Sequence, residues 1–226
     1  MGSRVLDKSR SILKAQYELL HPAGQGLRIN AYDRSFNRTC RIPEMAIEAI
    51  SDVRLPPLEV GVDETTVFYA LAAITRRVAP LQVFEFGTYR GHSTTTFALN
   101  SDARIFTLDL PDGEVVAANA QDMQLMQTRG LGHLPDSVQR LYGDSRAFDF
   151  APYENSIDLV YVDGGHDADV VVSDTRNAFN MVRAGGTIVW DDYGWMYPGL
   201  VGVLDELAAN YREMRRIRGT RLVILG

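Results

Sequence analysis

The sequence predicts an α/β protein: a doubly wound, mostly parallel sheet of seven strands with a helical cover on its N-terminal side. Three observations predict it. From about position 80 onward, short β-rich runs alternate with stretches of helical periodicity, which implies parallel strands covered on both faces. Asp109, Asp144, Asp163, Asp191 and Asp192 fall at or just past the ends of those runs, and in such sheets ligands sit outside the carboxyl ends of the strands. The last two runs read as a hairpin across Gly219-Thr220.

Residues 1–79 are read as a helical cap or lid and 80–226 as the sheet domain. Leu6, Ile12, Leu13, Tyr17 and Leu20 fall near helical spacing, and His21 to Gly26 breaks that helix. A short helix is expected over Ile42–Ile50, with Pro43 near its start. A loop over Arg54–Gly61 contains Pro56-Pro57. Asp63 caps the next helix, which carries Val67, Leu71, Ile74 and Val78 on one face and ends near Pro80.

In the sheet domain, strands are expected over Gln82–Phe86, Arg104–Leu108, Val138–Tyr142, Ile157–Val162 and Gly185–Trp190. Glu213–Arg218 and Arg221–Leu225 form the hairpin. Helices are expected over Ser93–Leu99, over Val115–Gln127 with Gly130 as its stop, and over Leu200–Asn210. A helical stripe of Val171, Thr175, Ala178, Phe179 and Val182 marks one more.

Composition narrows the function. The chain has 226 residues, 46% hydrophobic and 23% charged, which excludes a disordered tail, a collagen and a disulfide-stapled miniprotein. A formal net charge of -6 argues against a nucleic-acid partner, because phosphate neutralisation needs clustered cations. Cys40 is the one cysteine, so neither an internal disulfide nor a cysteine zinc site is available. No run of about 18 apolar residues is present and the start lacks a signal-peptide core, so no membrane association and a cytoplasmic location are expected.

The stretch Glu85-Phe86-Gly87-Thr88-Tyr89-Arg90-Gly91-His92-Ser93 follows a buried strand and opens a helix. Glycine lets a backbone pass close to a ligand, and a helix start offers free N–H groups. Three residues separate the two glycines, so the G-x-G-x-x-G dinucleotide pattern fails, and the Lys-Ser/Thr of a P-loop is absent. Asp109, at the end of the second strand, can accept both hydroxyls of a ribose.

Glu85-x-Gly87-x-x-x-Gly91, Asp109 and Gly143-Asp144 resemble the cofactor motifs of class I S-adenosylmethionine-dependent methyltransferases, over roughly residues 80 to 226. The resemblance implies a Rossmann-like methyltransferase fold. It implies that Gly87, Thr88 and Gly91 pass under the methionine part of the cofactor, and that Ser93 contacts its carboxylate. By the same resemblance Glu85 helps to hold the amino group, Asp109 the ribose, and Asp144 and Ser145 the adenine. Asp163 is counted among the cofactor-side residues.

Asp163-Gly164-Gly165-His166 ends the fourth strand, and Asp191-Asp192 ends the fifth. Three carboxylates brought together repel unless a cation joins them, and oxygen ligands favour Mg²⁺, with Mn²⁺ or Ca²⁺ possible. A solvated turn is the alternative for the paired acids. His166 lies on the same rim, and imidazole is suited to proton transfer near neutral pH. The set resembles metal-dependent O-methyltransferases, above all the macrocin and mycinamicin sugar O-methyltransferases, with catechol O-methyltransferases as more distant relatives. That resemblance implies Asp163, Asp191 and Asp192 as metal ligands and His166, with Asp163, as the catalytic pair.

The expected activity is methyl transfer to a hydroxyl of a small-molecule acceptor. The alternatives are a metal-independent methyltransferase acting on nitrogen, carbon or a carboxylate, and a non-catalytic cofactor-binding partner subunit. Tyr193, Trp195 and Tyr197 are candidates for an acceptor wall, although packing is the commoner role of such aromatics. Arg212, Arg215, Arg216 and Arg218 read as a solvated edge strand. Self-association is plausible, with a homodimer as the default.

Overall fold

The structure, a computed structural model, describes residues 41–48, 50–56, 65–111, 134–194 and 196–226. The helices expected over 5–20 and 115–127, the cap Asp63, and Trp195 lie outside these residues. Among the described residues the sheet has eight strands in the order β1-β7-β8-β6-β5-β2-β3-β4. These are β1 (Glu44–Met45), β2 (Gln82–Phe86), β3 (Arg104–Asp109), β4 (Val138–Tyr142), β5 (Ile157–Val162), β6 (Val182–Trp190), β7 (Arg215–Ile217) and β8 (Val223–Leu225). The helices are α1 (Thr65–Val78), α2 (His92–Asn100), α3 (Ala168–Met181) and α4 (Pro198–Asn210).

Alternation along the strands builds two cores. Phe84, Phe86, Phe106, Leu108, Val160, Val162, Ile188 and Trp190 pack on one face, against Val171, Ala178 and Phe179 of α3 and Leu200 and Leu204 of α4. Val83, Ile105, Leu159, Tyr161 and Val189 face the other way, against Val67, Leu71 and Ile74 of α1 and Phe97 of α2. The sheet is therefore doubly wound, as expected. Every pairing is parallel except those of β8 with β6 and β7. From β2 the chain first runs outward through β3 to β4, then crosses back to β5 and β6. The strand order thus reverses beside β2, which is where an α/β sheet opens its ligand crevice.

Three expectations need correction. The short helix over Ile42–Ile50 is not formed; Glu44–Met45 is a strand beside β7, which makes eight strands of the expected seven. Two backbone bonds hold it there, Arg216 N–H to the Pro43 carbonyl and Arg218 N–H to the Met45 carbonyl, each 2.9 Å. Glu44 adds ion pairs to Arg216 and Arg218, so part of the basic cluster is a clasp for this edge. Val182 belongs to β6 rather than to the helical stripe, having extended φ and ψ of -64° and 129°. The hairpin strands are shorter than expected, at three residues each.

Candidate functional site

Four backbone hydrogen bonds lock the carboxyl ends of five strands together. Gly143 N–H donates to the Asp109 carbonyl (2.9 Å), and Gly87 N–H to Leu108 (2.8 Å). Asp163 N–H donates to Phe86 (3.0 Å), and Asp191 N–H to Val162 (3.1 Å). Residues far apart in sequence thereby share one rim.

The glycine turn sits at its centre. Gly87 has a φ of +88°, and a Cβ there would lie 2.1 Å from the Asp163 carbonyl oxygen. Only glycine lets β2 exit against the loop after β5. The Asp109 carboxylate accepts the N–H groups of Thr88 (3.1 Å), Tyr89 (2.8 Å) and Leu110 (2.8 Å), and so braces the turn. Its remaining lone pair, on Oδ1, suits a hydroxyl donor. Glu85 is fully buried beneath, where Thr94 donates to it at 2.5 Å. Burial pushes the Glu85 carboxyl up to about 7; the hydroxyls of Ser93, Thr107 and Thr94 oppose that, while the nearby Asp109 charge adds to it.

On the far side of the rim, Asp144 pairs with Arg146 (2.7 Å), whose hydrogen bonds hold its carboxyl below the usual range. Asn177 on α3 donates to the Ser145 carbonyl (3.5 Å), and Asp174 on the same helix is a buried carboxyl that desolvation lifts to about 6 against the pull of the Ser145 hydroxyl. The loop expected to meet adenine is therefore tied to α3.

On the near side, His166 Nε2 lies 2.6 Å from Asp192 Oδ2, and its ring stacks on Tyr197 at 3.8 Å and 11°. One ligand-type atom each from Asp163, His166 and Asp192 fall within 4.8 Å of one another. The two hard carboxylate oxygens, of Asp163 and Asp192, fit a divalent cation after small movements, with the imidazole beside them. Asp191, expected to be a ligand, is outside this group. Its carboxylate accepts the Tyr161 hydroxyl and the Asp192 N–H, each at 2.6 Å, and is 5% exposed. Burial, and next the Asp192 charge, raise the Asp191 carboxyl to about 6, against the pull of Tyr161 and Arg221.

Tyr193 is not a wall residue: it is 1% exposed and donates to Asp205 from inside the core. Sequence reasoning missed Thr94, Tyr161, Asp174 and Arg221. A buried-strand tyrosine between two acids was the one available signal, for Tyr161.

The fold is the Rossmann-like fold of class I methyltransferases. Residues 84–193, from within β2 through the acids after β6, match the family described as a methyltransferase domain. Three solved structures show the range of likeness. CalS11, a TDP-rhamnose 3′-O-methyltransferase of calicheamicin biosynthesis, is 18% identical with a TM-score of 0.52, covering 73% of this chain and 80% of that one. The SAH-bound methyltransferase PaMTH1 of Podospora anserina is 19% identical with a TM-score of 0.49, covering 70% and 76%. The O-methyltransferase TomG of Streptomyces achromogenes, in complex with SAM, is 17% identical with a TM-score of 0.48, covering 78% and 82%. No curated protein sequence matches the chain significantly. Among the described residues no helix is long and apolar enough to cross a membrane.

Proposed function

We propose that the chain is an S-adenosylmethionine-dependent O-methyltransferase that methylates a hydroxyl of a small molecule of the sugar or polyketide kind. A divalent cation, Mg²⁺ or in its place Mn²⁺ or Ca²⁺, assists, and His166 is the general base. One observation carries the reading: Gly87 is jammed against Asp163, so the glycine turn and the acid–histidine group share one rim.

In this reading Gly87, Thr88, Gly91 and Ser93 cradle the methionine end, Asp109 takes a ribose hydroxyl, and Asp144 and Ser145 flank the adenine. S-adenosylmethionine supplies an already activated sulfonium methyl, so the chain must mainly align and deprotonate the acceptor. Asp192 at 2.6 Å holds a proton on His166 Nε2, which leaves Nδ1 to take the acceptor's proton. Tyr197 fixes the ring plane by stacking. Asp163 and Asp192, with Asp191 in reserve, would hold the cation, which would supply positive charge to stabilise an acceptor oxyanion.

Binding of S-adenosylhomocysteine, followed by calorimetry, tests the cofactor. Single-turnover transfer to a panel headed by hydroxylated sugars, which the activity named for CalS11 motivates, tests the chemistry. His166→Ala should slow transfer by about 10² to 10⁴-fold with cofactor affinity kept. An unchanged rate would remove His166 from its role. Metal-independent transfer is the second reading, favoured by the full set of protein partners on Asp191; it requires that EDTA leave the rate unchanged.

A further inference from the structure

Arg221 stands on the hairpin between β7 and β8, two residues beyond Gly219 at φ +77°. Its backbone carbonyl accepts Tyr193 N–H at 3.0 Å, which anchors the hairpin to the segment after the acids. Its side chain runs back over those acids. Nε is 2.8 Å from Asp192 Oδ1 and 3.8 Å from Asp191 Oδ1. Asp192 is held at a φ of +60°, a left-handed position that an aspartate adopts at some cost. The acids are tucked in, with side chains 15% and 6% exposed, whereas the Arg221 side chain is 40% exposed.

Adjacent carboxylates in a partly dry site need positive charge nearby. Arg221 provides it on an oxygen of the group that would ligate a cation. A guanidinium and a divalent ion repel each other, and both draw on Asp192, so each weakens the other there. The exposed side chain has room to swing out, while the carbonyl anchor to Tyr193 stays in place.

We propose that Arg221 is a tethered counter-cation. It holds the Asp191-Asp192 turn when no divalent ion is bound and gives up Asp192 when one enters. The inference rests on the metal arm of the proposed function. It sets how tightly the site holds its ion, and it makes the metal-free site ordered rather than splayed by repulsion.

The test is calorimetric titration of Mn²⁺ into the full chain and its variants. Arg221→Gln removes the competing charge, and affinity should rise about tenfold. Arg221→Lys keeps the charge and should bind as the parent does. Without metal, Arg221→Gln should melt lower, and Mn²⁺ should raise its melting temperature more than the parent's. Equal or weaker Mn²⁺ binding by Arg221→Gln, with clear heat from the parent, overturns the proposal and leaves the metal reading standing. No heat from either overturns both. If Arg221→Gln does not fold, the parent chain decides by NMR. Mg²⁺ should move the Arg221 Nε–H resonance, assigned by its absence from Arg221→Lys, and a Mg²⁺-bound state with that resonance unmoved overturns the proposal.

Discussion

Asp109 binds three backbone amides at once, and that explains why an acid is needed before any ligand arrives. An asparagine keeps the shape but turns an NH₂ toward at least one of those donors. Asp109→Asn should therefore cost about 1–3 kcal/mol of stability, read from urea unfolding. It should also lose most S-adenosylhomocysteine affinity in calorimetry; retained affinity would argue that the ribose is held elsewhere. The residue's place on the rim was legible, because a strand end after a glycine turn puts it there. Glu85, Gly87, Asp163 and His166 were legible for the same local reason. The partners of these residues were not. Thr94 reads as an ordinary helix residue, Tyr161 and Arg221 find their acids only across 30 and 29 or 30 positions of folded chain, and Asp174 meets the Ser145 hydroxyl across 29. Asp191 makes the point most directly: its neighbour reaches the histidine, while its own carboxylate turns inward to Tyr161.

At the scale of elements, strands buried on both faces announce themselves. All of β2 past its first residue is buried and all of β5 is buried, and each was bounded to the residue by its apolar run. β1 could not be read that way. It is two residues long, and its identity comes from β7, 172 positions away in the Glu44–Arg216 pairing. The glycine turn lies between these cases. Its glycines are visible in sequence, but the reason for Gly87 is a contact with the loop after β5. Gly87→Ala should destabilise by about 3 kcal/mol or more, combining a left-handed residue with a clash against backbone. It should also displace the Asp163 loop and weaken cofactor and cation together. Gly219→Ala is the control. It shares the positive φ, but nothing lies within 4 Å of its Cβ, so about 1 kcal/mol is expected from backbone strain alone. Equal melting temperatures for the two variants would refute the close approach as the cause.

The whole molecule carries its acidity unevenly, and its stability should respond to pH accordingly. Glu85 and Asp174 are buried, with carboxyls raised to about 7 and about 6. For such groups the folded chain binds the proton more tightly than the unfolded chain. Their contribution is present below the ordinary carboxylate range and is lost as pH rises through the folded value. For Glu85 that loss is on the order of 3 kcal/mol, complete just above neutrality. Asp144 and Asp158 act oppositely. Arg146 holds the first down, and for the second Arg183 and the amides of Gln82 and Leu81 outweigh burial, so both lose their contribution on acidification. The ligand-free chain should thus be most stable at about pH 4 to 5, weaken up to about pH 7, and change little above. Glu85→Gln isolates the largest part. The amide stays neutral, so urea midpoints of variant and parent should nearly coincide at acid pH and separate in favour of the variant at pH 8. A constant separation across that range would mean that Glu85 is already charged in the folded chain, stabilised by its ring of hydroxyls in spite of its burial.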